Sequence, residues 1–345
     1  MDSVRNIHPA EELVKGFDEY GLEKVPFGKL EFPAPGVHIG RVKLQKIAWI
    51  LRLHQLPAGL VPVLVGLAYA YWETGAFHFV SALIVLLLTG LTLLGAAYLD
   101  DYFDHHSGVD AKVENRTLFS GGSGLIQTGE WRAQTMLFWG MAALGTAFFL
   151  AIRLTVAQAN WALVAVYAFG ILSVIFYAAP PLSAAYRGWG EVLMAVNFGP
   201  TAAELGYVSE TGSFSFQLLL VSLTFSSLIL VVHLIHEMLD YKADQAAGKK
   251  GWVVLLGQKK SKKLVSLLLL VPYFLLTSLV LFGSLSPGAL LPLGSAAWAI
   301  GLAIKITNAE EPERIFSILS KSFALYVVFG LLLVTGLILD KWLEG

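Results

Sequence analysis

The chain has 345 residues, of which 56% are hydrophobic and only 14% are charged, and its mean hydropathy is +0.66. These values lie outside the usual range of water-soluble globular proteins and indicate a protein that crosses the membrane many times. The sequence contains no cysteine, which excludes disulfides, thiolate metal ligands and a cysteine nucleophile. Any chemistry must therefore come from carboxylates, histidine, tyrosine, arginine and lysine.

Composition divides the chain into a polar N-terminal segment, residues 1–43, and a hydrophobic domain, residues 44–345. Hydrophobic stretches in this domain are long enough to cross a bilayer core, which takes roughly 20 residues per helix. The sequence therefore predicts an all-α bundle of nine transmembrane helices. The expected spans are 44–72, 78–104, 131–153, 156–179, 190–209, 215–239, 262–283, 286–305 and 316–340.

The positions of Lys and Arg predict the orientation of these spans. If the N-terminus is cytoplasmic, all but two of the 24 Lys and Arg residues fall in the N-terminal segment, in cytoplasmic connections or at the adjoining helix ends. The two exceptions are Arg153 and Lys341. Because cytoplasmic loops are enriched in Lys and Arg, we expect a multi-pass protein of the inner (plasma) membrane, with its N-terminus and active site on the cytoplasmic side.

Two acidic motifs stand out because charged side chains at the ends of apolar spans are costly. Residues 99–110 read LDDYFDHHSGVD and residues 239–248 read LDYKADQAAG, and both fit the pattern L-D-x-x-x-D-x-x-x-G. Residues four apart share one helix face, so each motif presents two carboxylates together. A single Asp there is usually just solvated, but the matched spacing predicts one shared site. The paired carboxylates are Asp100, Asp104, Asp240 and Asp244.

These carboxylate pairs indicate a hard divalent cation. Carboxylates without Cys, and with few convergent His, favour Mg²⁺, which commonly binds one or two carboxylates and completes its shell with waters and substrate phosphates. Two such sites close together would clamp a diphosphate, and the apolar bundle would receive a hydrophobic tail. An isoprenyl diphosphate has both parts, so the sequence predicts Mg²⁺ as the cofactor and an isoprenyl diphosphate as a substrate.

Polar residues near the two motifs are candidates for substrate contact. Arg116 and the glycine-rich stretch from Ser120 follow the first motif, and successive backbone N–H groups in such a stretch can bind phosphate, although it is more often only a turn. Lys249 follows the second motif. For Asn197 in the fifth span, a plain interhelical hydrogen bond is an equal alternative. The remaining candidates are Arg52, Tyr177 and Arg187.

Four segments of the chain resemble the UbiA-type intramembrane prenyltransferases, from about residue 51 to the last span. They read LRLHQLPAGLVPVLVG, DDYFDHHSGVD, YAAPPLSAAYRGWGEVLMAVNFGP and LDYKADQAAGKKGWVVLLG. The resemblance implies a nine-helix bundle, magnesium dependence and transfer of a prenyl group from its diphosphate to an aromatic or other acceptor. The first two segments are most similar to the dihydroxynaphthoate prenyltransferases of menaquinone synthesis.

The resemblance also implies roles for individual residues. Asp100 stands where the family usually has Asn, and His236 and Glu237 replace Asn in the second motif. Glu237 shares a helix face with Asp240 and Asp244, which favours an added ligand or a base. These departures affect the expected acceptor more than the diphosphate site. The implied metal ligands are Asp101, Asp104, Asp110, Asp240 and Asp244, and all of these except Asp110 are also the expected catalytic residues.

Three functions are compatible with the sequence. The leading one is a magnesium-dependent prenyltransferase that makes a quinone or related lipid from an aromatic acceptor. A UbiA-type terpene cyclase is an alternative, because the second motif lacks its usual Asn residues. A divalent-cation transporter is the alternative from another class, although transporters place such sites near the bilayer midplane. The expected partners are an isoprenyl diphosphate, an aromatic acceptor and the lipid bilayer, with no nucleic acid.

Overall fold

The computed structural model describes residues 46–108, 122–179 and 181–344, and all regular structure in these ranges is helical. This confirms the all-α prediction. Residues 46–50, the described part of a first unit that ends at Ile50, are helical. The helices of the second unit are α1 (Leu56–Thr74), α2 (Phe79–Ser107), α3 (Ala133–Gln158), α4 (Trp161–Ala178), α5 (Gly190–Val196), α6 (Ala202–Thr211), α7 (Phe216–Ala247), α8 (Trp252–Leu256), α9 (Gln258–Leu268), α10 (Val271–Leu281), α11 (Ala296–Thr307) and α12 (Pro312–Glu344).

Eight helical stretches of the described residues are long and apolar enough to cross a membrane. They match eight of the nine predicted spans, and residues 190–209 are the exception. There α5, a π-helical turn at Asn197–Thr201 and α6 follow one another, and Glu191 and Glu204 are buried within them. The predicted count of nine spans is therefore not confirmed. The eight stretches are Leu53–Thr74, Phe79–Ser107, Ala133–Gln158, Trp161–Ala178, Phe216–Ala247, Gln258–Leu281, Pro287–Thr307 and Pro312–Glu344.

The π-helical turn has a clear chemical cause. Pro200 lies inside it and has no N–H to donate, which disturbs the regular helical hydrogen bonding. Ser226 on α7 donates to the Ala195 carbonyl just before the turn, with its Oγ 2.7 Å from that oxygen. Asn197 and Thr201 of this turn line an internal cavity. The break in residues 190–211 therefore shapes a cavity wall.

The helices pack around two hydrophobic clusters. One contains residues of α7 to α12, including Phe225 and Phe329, and the other contains residues of α2, α3 and α4, including Leu88. Both clusters also contain residues of α1 and α6, which makes these two helices the centre of the bundle. The last helix is tied to the first, because the Tyr326 hydroxyl on α12 donates to the Ala58 carbonyl on α1.

Helices α1 and α6 approach closely because glycines face the partner backbone. A Cβ on Gly66 would lie 1.9 Å from the Ala203 carbonyl oxygen, and one on Gly206 would lie 2.3 Å from the Val63 oxygen. We therefore expect Gly66→Ala to lower the free energy of unfolding by about 1–3 kcal/mol, measured by thermal unfolding of the purified protein. Gly145→Ala, where nothing lies within 4 Å, is the control. Equal stability of the two variants would contradict this packing.

Candidate active site

The two acidic motifs form the last turns of α2 and α7, and each helix ends at the glycine of the shared pattern. Gly108 and Gly248 both have φ 75°, the left-handed conformation that favours glycine at a helix end. After Gly248 the chain turns back, and the Lys249 N–H donates to the Asp244 carbonyl at 2.9 Å. The pattern therefore encodes a helix stop directly after each carboxylate pair.

Lys249 is the point where the charges of both motifs meet. Its Nζ lies 3.8 Å from Asp244 Oδ1. Burial alone would lower its pKa, but the carboxylates of Asp244, Asp104 and Asp100 raise the pKa of Lys249 well above its ordinary value. These acids come from both α2 and α7, so three of the four paired carboxylates, from both motifs, act on one ammonium group. Lys249 therefore remains charged at neutral pH.

Tyr186, in the connection between α4 and α5, reaches the same place. Its hydroxyl donates to Asp104 Oδ1 at 2.6 Å and lies 2.7 Å from the Ser107 Oγ. The Nζ of Lys249 lies 5.7 Å from the centroid of its ring, within cation–π distance. Burial and the neighbouring Asp104 raise the pKa of Tyr186, so it stays a neutral hydrogen-bond donor.

The carboxylates of the second motif have their own partners. Asp240 Oδ2 lies 3.0 Å from His236 Nε2, and Asp244 is buried beside Lys249. Among the residues that the structure describes, no three Asp, Glu or His side chains are grouped closely enough to hold a metal by themselves. Mg²⁺ needs only one or two carboxylates when substrate phosphates complete its shell, and paired carboxylates fit that requirement. The predicted site residues Asp110, Arg116 and Ser120 lie outside the described residues.

Asp101 and Arg52 form a buried ion pair, which differs from their predicted roles. Arg52 Nη2 lies 2.7 and 2.6 Å from the two Asp101 oxygens, and each side chain is only 4% exposed. The Ser123 N–H also donates to Asp101, at 3.1 Å. One residue of offset turns Asp101 roughly 100° away from Asp100 around the helix. In this structure the two side chains satisfy each other, and the roles of Asp101 as a metal ligand and of Arg52 as a substrate contact stay predictions.

Glu237 is buried and faces the chain segment that follows Lys249. Its Oε2 accepts the Val253 N–H at 3.1 Å. Glu191, at the start of α5, accepts the neighbouring Trp252 N–H. Two carboxylates from distant parts of the chain thus fix the segment that carries Lys249. Glu237 holds this segment in place, and its contact with substrate stays a prediction.

A cavity of about 310 Å³ lies inside the bundle next to these motifs, within the usual size range of ligand pockets. Asp100 and Tyr177 contribute to its polar end, and Asn197 lines it with an Oδ1 that is buried and has no partner among the described residues. Arg187 is exposed on the loop between α4 and α5, next to the tyrosine that contacts Asp104, and its contact with substrate stays a prediction. The apolar lining includes Leu93, Ile171, Leu205, Ile229 and Phe323.

Two residues of the site were not predicted from the sequence. Tyr186 has no local signal, since only the folded loop brings it to Asp104. His233 also lines the cavity. A sequence pattern does point to it, because it lies four residues before Glu237 on the helix face that continues to the second motif. Continuing the four-residue spacing of that motif towards the N-terminus would have identified His233 as a candidate.

Comparisons with known proteins identify the family of the chain. The model of the UbiA prenyltransferase family matches residues 59–339. The chain is 27% identical to the 2-carboxy-1,4-naphthoquinone phytyltransferase of Synechocystis sp., over 80% of this chain and 88% of that one. It is 25% identical to the 1,4-dihydroxy-2-naphthoate octaprenyltransferase of Bacillus subtilis, over 86% and 93%.

A solved structure shares the fold. A UbiA homolog from Archaeoglobus fulgidus bound to GPP and Mg²⁺ superposes with a TM-score of 0.59, at 16% identity, over 84% of this chain and 99% of that chain. The family model covers most of the sequence, and eight helical stretches are suited to a membrane. The chain therefore belongs to the UbiA prenyltransferase family and is a multi-pass membrane prenyltransferase.

Proposed function

We propose that this prenyltransferase moves a prenyl group from an isoprenyl diphosphate, held together with Mg²⁺, to an aromatic acceptor of the dihydroxynaphthoate kind. The observation that carries the proposal is the convergence of both acidic motifs on Lys249 beside an apolar cavity. The relatives named for naphthoate acceptors support the choice of acceptor, and the homolog bound to GPP and Mg²⁺ supports the donor and the metal.

The polar end of the site binds the diphosphate. Asp104, Asp240 and Asp244, with Asp100 in the usual place of Asn, would hold Mg²⁺ together with the phosphate oxygens. When bound, the ion neutralises the negative charge that develops on the leaving diphosphate. Lys249 donates to the same oxygens through a charge-assisted hydrogen bond. Both carboxylate pairs therefore act on the leaving group rather than on the acceptor.

Residues beyond the described ranges remain part of this proposal. Asp110 is the third acid of the first motif, and Arg116 and Ser120 follow it in sequence. They belong to the connection that leaves α2 at Gly108, directly after the carboxylates. We expect Asp110 to add a ligand and the other two to contact phosphate oxygens.

The cavity receives the prenyl chain and excludes water. Breaking the bond between C1 and the diphosphate oxygen leaves an allylic cation, and the aromatic rings of Tyr177, Phe198 and Phe323 line the cavity where it would form. Aromatic faces stabilise cations, and a dry wall prevents capture by water. The aromatic carbon of the acceptor then supplies the electron pair for the new C–C bond. Asn197 is the proposed hydrogen-bonding contact for the acceptor.

We further propose that the N-terminus and the active site face the cytoplasm across the plasma membrane. The support is the distribution of Lys and Arg along the sequence. Lys249 and Lys250 lie at the same end of α7 as the second motif. The diphosphate group of the donor would then enter from the cytoplasmic side, and the free diphosphate product would leave to that side.

Mass spectrometry of reaction products tests the function directly. Purified protein with geranyl diphosphate, Mg²⁺ and 1,4-dihydroxy-2-naphthoate should yield a prenylated naphthalene product and free diphosphate, and chelation of Mg²⁺ should stop the reaction. A cyclic hydrocarbon formed from geranyl diphosphate alone would instead identify a terpene cyclase. Metal flux in proteoliposomes without any prenyl transfer would identify a transporter.

Lys249→Met should weaken diphosphate binding, because the variant loses a buried charge-assisted donor. A hydrogen bond to a charged group contributes about 1.5–3 kcal/mol, so we expect the KM for geranyl diphosphate to rise about 10- to 100-fold. Lys250→Met is the matched control, since that neighbouring side chain is exposed. Steady-state kinetics measure both variants, and equal KM values would contradict the role of Lys249.

A further inference from the structure

His233 on α7 lines the cavity and lies next to a carboxylate. Its Nε2 lies 3.5 Å from Glu237 Oε1, and its side chain is 12% exposed. Glu237 is itself fixed by the Val253 N–H. A neutral imidazole carries one proton, so an Nε2–H directed at Glu237 leaves the lone pair on Nδ1. This is the arrangement by which a carboxylate fixes the tautomer and the orientation of a histidine ring.

The position of His233 along the helix separates it from the diphosphate end. It lies seven positions before Asp240, which corresponds to roughly 10 Å along an α-helix. Its neighbours Ile229 and Val232 belong to the apolar cavity wall. With the diphosphate at the second motif, His233 therefore lies at the depth of the prenyl chain and the acceptor.

Four other polar groups of the cavity are poorer candidates for a base, and His54, a further histidine of the lining, is the alternative that the test below addresses. His236 lies 3.0 Å from Asp240 and belongs to the metal end. Asp100 acts on Lys249 at the same end. Tyr177 and Asn197 carry a hydroxyl and an amide, which are weak bases near neutral pH. His233 combines a basic nitrogen, a carboxylate partner and a place in the cavity.

We propose that His233, oriented by Glu237, is the base that takes the phenolic proton of the acceptor as the C–C bond forms. This inference rests on the proposed transfer to an aromatic acceptor. The acceptor O–H bond breaks and its proton goes to Nδ1, while the oxygen electron pair forms a C=O bond. The ring π pair forms the bond to C1 of the prenyl group, and the C1–O pair leaves with the diphosphate. The hydrogen or carboxylate on the attacked carbon then leaves as a proton or CO₂, and its bonding pair restores the aromatic ring. The C=O pair returns to the oxygen, which takes the proton back from Nδ1 and regenerates the neutral imidazole.

Replacing His233 tests this step through the acidity of the acceptor. His233→Gln should lower kcat with 1,4-dihydroxy-2-naphthoate about 100-fold or more, the usual contribution of a general base. The KM for geranyl diphosphate should stay within about twofold of wild type, because the diphosphate end is intact. A ring-halogenated dihydroxynaphthoate has a phenol that ionises more easily. With this acceptor, the difference in kcat between His233→Gln and wild type should be smaller. A merely structural role would lower kcat equally for both acceptors.

Two further variants complete the test. His78→Gln is the matched control, because His78 also faces a glutamate, with Nδ1 3.1 Å from Glu210 Oε2, but lies outside the cavity lining. It should keep wild-type kcat for both acceptors. Glu237→Gln removes the negative charge next to the imidazole of His233. It should lower kcat in the same acceptor-dependent way as His233→Gln, but by a smaller factor. This second variant keeps the proposal testable if His233→Gln does not fold.

Three outcomes would overturn the inference: wild-type kcat in His233→Gln, an equal loss for both acceptors, or an acceptor-dependent loss in His54→Gln instead. Failure of the proposed function is distinguishable from failure of this step. If the wild-type protein transfers no prenyl group to either phenol, the proposed function falls. If the wild type transfers and His233→Gln does so equally well, only the assignment of the base falls.

Discussion

Asp104→Asn and Asp244→Asn are each expected to reduce prenyl transfer on the order of 1,000-fold or more while the protein stays folded and inserted. Metal-assisted charge stabilisation contributes several kcal/mol, and each 1.36 kcal/mol is tenfold in rate. An amide is a weaker Mg²⁺ ligand than a carboxylate. An Asn at position 104 still accepts the hydrogen bond from Tyr186, whose hydroxyl lies 2.6 Å from Oδ1. We therefore expect the variant protein to fold.

Initial rates and thermal unfolding of the same purified samples measure this pair of variants. Glu313→Gln, which neutralises an exposed carboxylate in the first turn of α12, is the control and should keep wild-type activity. Part of the activity of Asp104→Asn and Asp244→Asn should return at high Mg²⁺, because a weakened site fills at higher concentration. Near-normal activity of either variant at ordinary Mg²⁺ would remove the metal assignment.

Arg52→Met and Asp101→Asn are expected to act on stability instead. Each leaves one buried charge or polar group without its partner, and breaking a buried ion pair typically costs about 3–5 kcal/mol. Both side chains are only 4% exposed, and Nη2 of Arg52 lies within 2.7 Å of both carboxylate oxygens. Thermal unfolding of the detergent-solubilised protein should show a large decrease in unfolding temperature for each variant.

A double variant separates the two readings of Asp101. Arg52→Met combined with Asp101→Leu replaces the pair with apolar groups and should recover part of the stability, since neither charge is then left alone. The result that would restore the metal role is the opposite one: an Asp101→Asn protein that unfolds at the wild-type temperature but no longer responds to Mg²⁺.

The membrane spans and the position of the two motifs were predictable from the sequence, because both depend on local patterns. Hydropathy alone placed eight of the spans. The spacing of four residues placed each carboxylate pair on one helix face, and Lys249 was expected beside the second pair. The structure brings these groups together.

The pairing of side chains was less predictable, because it depends on neighbours distant in the chain. Asp100 and Asp101 are adjacent in sequence, yet Asp101 contacts Arg52, 49 residues away. Nothing within the first motif distinguishes the two acids. Tyr186 contacts Asp104 over 82 residues for the same reason. The glutamates at 191 and 237 reach the N–H groups at the start of α8 only after α5 and α7 have packed.

The tie between Tyr326 and Ala58 joins residues 268 positions apart and has a consequence for biosynthesis. Such a contact cannot form until α12 has been synthesised, and α12 follows all the other helices of the described residues. The packing of α1 is therefore complete only after α12 has been made. During translation, α1 must rely on lipid or on the insertion machinery to cover the face that α12 later occupies.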